Sequence, residues 1–164
     1  MRDAMTIYYL EMLDQRDLQK KACPDPDLEI RECVIKQVPF NRFLYEFVGE
    51  PWHWTDKKDW TEEHWRDYVE DENLRTWVAW KGGSLAGYYE LQQQEEGHVE
   101  IIYLGLTLPF IGKGYGGFLV SHAIRSAWDW GARRVWVHTC DLDHPNALSN
   151  YQARGFKLYK TETK

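Results

Sequence analysis

The run Ile111-Gly112-Lys113-Gly114-Tyr115-Gly116-Gly117 holds four glycines in six positions. Glycine loses more conformational freedom on folding than any other residue, so a plain turn has no need of so many. With no Cβ in the way, several backbone N–H groups can approach one anion. The run leads into apolar residues at helical spacing, so the partly positive start of a helix falls at the same place. Lys113 adds a full charge. The chemistry implied is a pyrophosphate cradle. Gly112, Gly114 and Gly117 also satisfy G-x-G-x-x-G, the fingerprint of dinucleotide-binding sheets. Two features weigh against that reading. Leu108-Pro109-Phe110-Ile111 separates the glycines from the preceding strand, and only about fifty residues follow, too few to complete a doubly wound sheet.

The elements that must position this loop can be read from periodicity. Thr6 to Leu13 is rich in residues that favour strands, and Leu28 to Ile35 alternates apolar and charged positions. A polar loop, Gln15 to Asp27, separates them. Phe40, Phe43, Leu44, Phe47 and Val48 form one apolar helical face, which Gly49 and Pro51 end. Thr61 is placed to cap a second helix that runs to about Val69, with Trp60 and Trp65 as a hydrophobic staple across the cap. Three strands follow: Leu74 to Trp80, Leu85 to Gln92 and His98 to Thr107. They are joined by turns at Lys81-Gly82-Gly83-Ser84 and Glu95-Glu96-Gly97. After the glycines, Leu119, Val120, Ala123, Ile124, Ala127 and Trp128 share one helical face, and Gly131 stops that helix. Arg133 to Cys140 is a strand, Pro145 to Gly155 a short helix, and Phe156 to Thr161 a last strand. The predicted class is α/β: a mixed sheet flanked by about four helices, with one helix crossing over between two parallel strands.

Composition narrows the function. A chain of 164 residues, 43% hydrophobic, fits a single domain over residues 1–164. No stretch reaches the ~18 apolar residues of a membrane span. Met1 to Tyr9 carries charge and lacks the apolar region of a signal peptide, so a cytoplasmic location is expected. Three cysteines without metal-type spacing and six scattered histidines predict neither disulfides nor a metal. A net charge of -6 argues against nucleic acid and suits a cationic or neutral small partner.

Downstream of the glycines comes Ala147-Leu148-x-x-Tyr151-x-x-x-Gly155-Phe156, and the strand Val135 to Cys140 and the turn Asp143-His144-Pro145-Asn146-Ala147 lie between. The stretch Val99 to Phe156 thereby resembles the core of the GNAT (GCN5-related) N-acetyltransferase family, and the earlier order of helices then strands follows the family too. The resemblance implies acetyl-CoA as cosubstrate, no metal, and an amine as acceptor of the acetyl group. It places the coenzyme on Leu106, Thr107, Leu108 and Ile111 to Gly117 (Lys113 and Tyr115 included), with Asn146 and Tyr151 on the pantetheine arm. Homodimers are common in the family. A non-catalytic acyl-CoA binding or sensing module is the alternative on the same fold. The sequence departs from the family pattern in places. Ile111 stands where Arg or Gln usually opens the loop, and the proline before the loop is shifted to Pro109. His144 holds a position where Asn is frequent, and Asn146 is out of register with it. The chain leaves no room for a final family strand after Phe156, and the extra N-terminal strand is expected to compensate.

Acetyl transfer from a thioester to an amine needs a base for the amine, donors for the carbonyl oxygen, and an acid for the leaving thiolate. It also needs both substrates held together. The resemblance puts the acid on Tyr151, a phenol able to donate to a thiolate whose conjugate acid lies near ~8.5. It puts the base on the strand carboxylate Glu100, with Glu90 and His138 as rivals. The resemblance also implies a strand irregularity that frees an N–H for the carbonyl, and Gly105 is its expected site. The resemblance implies that the segment between the first two helices shapes the acceptor site, so Trp52 and Trp54 are candidates to line it, with packing of the helices as the alternative. Trp60 and Trp65 are assigned to packing.

Overall fold

The computed structural model describes residues 4–164. Seven strands form one sheet in the order β2-β3-β4-β5-β6-β1-β7. They are β1 (Thr6–Met12), β2 (Leu28–Glu32), β3 (Leu74–Lys81), β4 (Ser84–Gln93), β5 (His98–Leu106), β6 (Arg134–Cys140) and β7 (Lys157–Thr163). The helices are α1 (Val38–Gly49), α2 (Glu62–Val69), α3 (Tyr115–Asp129) and α4 (Ala147–Ala153). Every neighbouring pair is antiparallel except β5 and β6, which α3 joins as the crossover. The N-terminal strand β1 lies between β6 and β7 and pairs with both.

The two faces of the sheet carry separate cores. On one, Leu119, Val120, Ala123 and Ile124 of α3 pack with Leu10, Leu91, Val99, Ile101, Val135 and Val137. Tyr151 of α4 and Phe156 close that core. On the other, Leu44 and Val48 of α1 meet Val78 and Tyr88, and Tyr45 packs with Trp65 and Val69 of α2. The start of α2 matches its sequence signature. The Thr61 side chain accepts from the His64 N–H, His64 answers onto the Thr61 N–H, and Trp60 meets Trp65 edge-on at 5.1 Å.

One strand boundary and one helix face differ from the sequence pattern. β2 ends at Glu32 rather than Ile35, because Cys33 makes the last bond to β3 and Val34 and Ile35 are left exposed. In α1 the buried side is Asn41, Leu44, Tyr45 and Val48, while Phe43 and Phe47 stack on each other outside it. Alternation and apolar spacing report amphipathic pattern, and burial followed it only where a partner element arrived.

The feature that makes a site is a fork. β5 pairs with β6 from His98↔Arg134 to Ile101↔Val137 and no further, although both strands continue. On its other side β5 stays bonded to β4 as far as Gly87↔Leu106. A bulge separates the pairs Leu91↔Ile101 and Glu90↔Tyr103, so Ile102 is the extra residue. A bulge bends its strand and increases its twist. Here that carries β5 away from β6 and leaves its backbone edge open.

Candidate active site

Two cavities meet at this fork. The larger, about 530 Å³, runs from the glycine loop along the open end of β5 to α4. The smaller, about 290 Å³, lies between β5, β6 and the loop after α1. Trp52, Trp54, Leu104, Asp143 and Tyr151 line both.

The larger cavity has the features of an anion site at its loop end. Gly112 and Gly114 adopt left-handed φ values of 82° and 85°, which any Cβ would strain. No side chain caps the start of α3, so its first N–H groups remain free to donate. Of the residues that the resemblance puts on the coenzyme, Leu106, Ile111, Gly112, Gly114, Gly116, Gly117, Asn146 and Tyr151 line this cavity. Four other residues of the predicted set do not. Leu108 and Lys113 are exposed outside it. Thr107 is buried and its hydroxyl donates to the Leu85 carbonyl at 2.9 Å. The Tyr115 hydroxyl donates to Asp25 at 2.9 Å and accepts from Lys81 at 2.9 Å. The cationic side chains that line the cavity are instead Lys21 and Arg154.

At the fork, Tyr151 is buried in the α3 core yet reaches both cavities. Burial first, then the charge of Asp143, pushes its pKa well above the ordinary tyrosine value. It therefore keeps its proton at neutral pH. Asp143 ties the site together: it accepts from Trp54 Nε1 at 3.1 Å, from the Cys140 N–H at 3.2 Å, and from the Thr139 hydroxyl. Trp54 also fills space behind β5. A Cβ on Gly105 would stand 2.7 Å from Val48 Cγ1 and 3.3 Å from Trp54, so close packing requires that glycine. Gly105 pairs regularly with Tyr88, and the strand irregularity expected there lies at Ile102 instead. Trp52 meets His144 edge-on at 5.1 Å, and His144 Nδ1 accepts from the Asn146 N–H at 3.0 Å.

The candidate bases separate clearly. Glu90 is buried beneath α1, where Tyr68 donates to it at 2.5 Å and Asn41 at 2.7 Å, and it lines neither cavity. Glu100 and His138 come together: Oε2 of the carboxylate is 3.1 Å from Nδ1 of the imidazole. Oε1 accepts from Gln94 at 2.9 Å, and Gln94 in turn accepts from Trp136 at 3.1 Å. Only His138 faces the smaller cavity. Its side chain is 47% exposed against 8% for Glu100. The hydrogen bond to Glu100 raises the His138 pKa, burial opposes it, and the nearby charges of Glu100, Asp143 and Asp56 add to the rise. With Nδ1–H turned to the carboxylate, Nε2 is the nitrogen left to take a proton.

Sequence reasoning missed Lys21, Asp143 and the joining of Glu100 to His138. Asp143 stood inside the quoted turn, but its partner Trp54 lies 89 residues away and nothing in either neighbourhood announces the bond. Among the described residues, no cluster of three or more His, Cys, Asp or Glu is placed to hold a metal ion, and no helix is long and apolar enough to cross a membrane.

Comparison with known proteins gives this geometry a family. A curated "uncharacterized N-acetyltransferase" of Mycobacterium tuberculosis (strain H37Rv) is 30% identical over 97 residues, 59% of this chain and 62% of its own length. Another, YvbK of Bacillus subtilis, is 33% identical over 95 residues, 57% of this chain and 61% of its own length. The matched stretch thus spans about three fifths of those relatives. Among solved structures, a GCN5-related N-acetyltransferase from Sphaerobacter thermophilus superposes with a TM-score of 0.69 at 18% identity, over 99% of this chain and 51% of that one. An IAA acetyltransferase from Bacillus cereus superposes at 0.62 with 26% identity, over 81% and 79%. An aminoglycoside acetyltransferase from a soil metagenome gives 0.64 at 18% identity, over 79% and 88%. The family model for the acetyltransferase (GNAT) family matches residues 41–156, a span that carries the fork, the glycine loop and Tyr151, and the chain belongs to that family.

Proposed function

We propose that the chain is an N-acetyltransferase that holds acetyl-CoA in the larger cavity and passes its acetyl group directly to a small amine held in the smaller one. The observation that carries this reading is the meeting of the two cavities at one fork, with a protonated phenol at the junction and a carboxylate-backed imidazole on the acceptor side. The larger cavity fits the coenzyme: glycines keep side chains out of it, and free helix-start N–H groups and two cations suit its phosphates. Acetyl-CoA supplies an activated thioester. The chain supplies the rest. The open edge of β5 from Leu104 to Leu106 offers backbone groups to the pantetheine arm and the carbonyl. His138, held by Glu100, takes the proton of the incoming ammonium. Tyr151 holds a proton where the thiolate departs. Asn146 and His144 border the arm, and Trp52 and Trp54 wall the acceptor side.

The test is release of free thiol from acetyl-CoA in the presence of a panel of primary amines. Amine-dependent release with N-acetyl product supports transfer. Binding of acetyl-CoA with no amine raising thiol release above slow hydrolysis would make the chain an acyl-CoA sensor instead.

The two tryptophans should behave differently in that assay. Trp54 is hydrogen-bonded to Asp143 and packed on Tyr103 at 4.9 Å, whereas Trp52 only leans on His144. Trp52→Leu should raise the acceptor KM several-fold at unchanged Tm. Trp54→Leu should lower Tm by about 5 °C or more, because a large, partly buried ring packed against both α-helical clusters is lost. Matching Tm losses in both would return Trp52 to packing.

A further inference from the structure

The polar segment 18–27, which lies outside the residues matched by the family model, crosses the glycine-rich head of α3 and is tied down at three points. The Gln19 N–H donates to the Arg154 carbonyl at 2.9 Å, the Lys21 N–H to Ser121 Oγ at 3.4 Å, and the Asp25 carboxylate holds Lys81 and the Tyr115 hydroxyl. This strap lays the Lys21 side chain along the start of α3. A Cβ on Gly117 would fall 2.6 Å from Lys21 Cδ, and Lys21 Nζ is 3.4 Å from the Cβ positions of both Gly114 and Gly117. A side chain at Gly117 would push the Lys21 chain off the head of α3. Among the described residues no carboxylate pairs with Lys21, so its ammonium is not neutralised. Arg154, at the strap's other anchor, lines the same cavity, and its buried Nε has no hydrogen-bond partner. Meanwhile Lys113, the cation inside the loop, is exposed away from the cavity, and Ile111 at the loop's opening carries no charge.

We propose that the 18–27 strap is a phosphate-recognition element, in which Lys21, assisted by Arg154, binds the coenzyme's pyrophosphate against the head of α3 and supplies the charge that the loop itself lacks. This rests on the acetyl-CoA reading of the larger cavity. An ammonium held over free helix N–H groups adds a charge-assisted contact that a neutral arm of the ligand cannot use.

The experiment is calorimetric binding of CoA, dephospho-CoA and pantetheine to the wild type and to Lys21→Ala, Lys21→Arg and Lys113→Ala, without turnover. Lys21→Ala should weaken CoA and dephospho-CoA alike, by about tenfold or more, leave pantetheine unchanged, and flatten the salt dependence of CoA binding. Lys21→Arg should restore most of the loss, and Lys113→Ala should stay within about twofold of wild type. The unliganded Tm of all variants should match, since Lys21 makes no ion pair. Wild-type CoA affinity in Lys21→Ala would overturn the proposal, as would an equal loss for pantetheine. A loss for CoA but not for dephospho-CoA would also overturn it, by moving the contact to the 3′-phosphate. Failure of the wild type to bind CoA at all would remove the acetyl-CoA reading itself, a result distinct from any of these.

Discussion

Replacing Tyr151 with phenylalanine should lower kcat by about 10²-fold or more and leave the affinity for acetyl-CoA nearly unchanged. The substitution removes one oxygen and keeps the ring, which packs edge-on against Phe156 at 5.9 Å within the α3 core. Stability and cavity shape should therefore survive. What is lost is a proton in the right place. Burial and the charge of Asp143 both disfavour the phenolate, so the hydroxyl stays protonated through the working pH range. The thioester sulfur gains charge only as its bond to the acetyl carbon breaks, so a hydrogen bond from the phenol matters in the transition state and not in the bound substrate, and the loss should fall on kcat and not on binding. An acyl donor with a more acidic thiol needs that proton less, and should recover much of the rate. A Tyr151→Phe enzyme with wild-type kcat would return the residue to the core it also serves. An acidic donor that fails to rescue would argue that the hydroxyl positions the thioester and does not protonate it.

How much of this was legible in the sequence follows from the range of each signal. The glycine loop, the helix behind it and the A-L-x-x-Y stretch are local patterns, and each lands where its spacing placed it. Element order was readable for the same reason. Register and long-range pairing were not. Nothing near Thr6 says that β1 will lie between β6 and β7, because a strand's own residues do not name its partners. A glycine is the expected mark of an irregular strand, which points to Gly105, but the bulge falls three residues earlier on Ile102, a residue type that favours regular strands. Adjacency in sequence does not give proximity to the cavity for the cations either. Lys113 stands between two glycines with left-handed φ and is exposed, while Lys21 arrives from nearly a hundred positions away. In the sequence Glu100 and His138 stand as rival bases, because they sit on different strands. Only the parallel pairing of β5 with β6 reveals that they are partners.

That partnership predicts a pH signature. If neutral His138 takes the proton of the acceptor, kcat/KM should rise with pH as the free enzyme loses the imidazolium proton, with the inflection above the ordinary histidine value of 6.5. The rise above 6.5 comes first from the hydrogen bond to Glu100, with burial pulling the other way. Glu100→Gln removes the largest raising cause and leaves burial opposed only by the charges of Asp143 and Asp56, so the inflection should move to lower pH. The plateau should fall as well, because a less basic and less firmly oriented imidazole is a poorer acceptor. His138→Ala should lose roughly 10²–10⁴-fold at neutral pH, and its remaining activity should climb with the free-amine fraction of an acceptor of pKa ~10.4. The pair's effect on stability has the opposite sign. A histidine whose pKa is raised by folding stabilises most below its unfolded value and loses that contribution as pH rises through the folded one. The Tm gap between wild type and Glu100→Gln should therefore be widest below about pH 6.5 and shrink above it, while the activity gap persists at high pH. A purely structural ion pair would move the Tm gap and leave the kinetic inflection where it was. Wild-type kinetics in His138→Ala would take the base away from the pair and give the proton to bulk water.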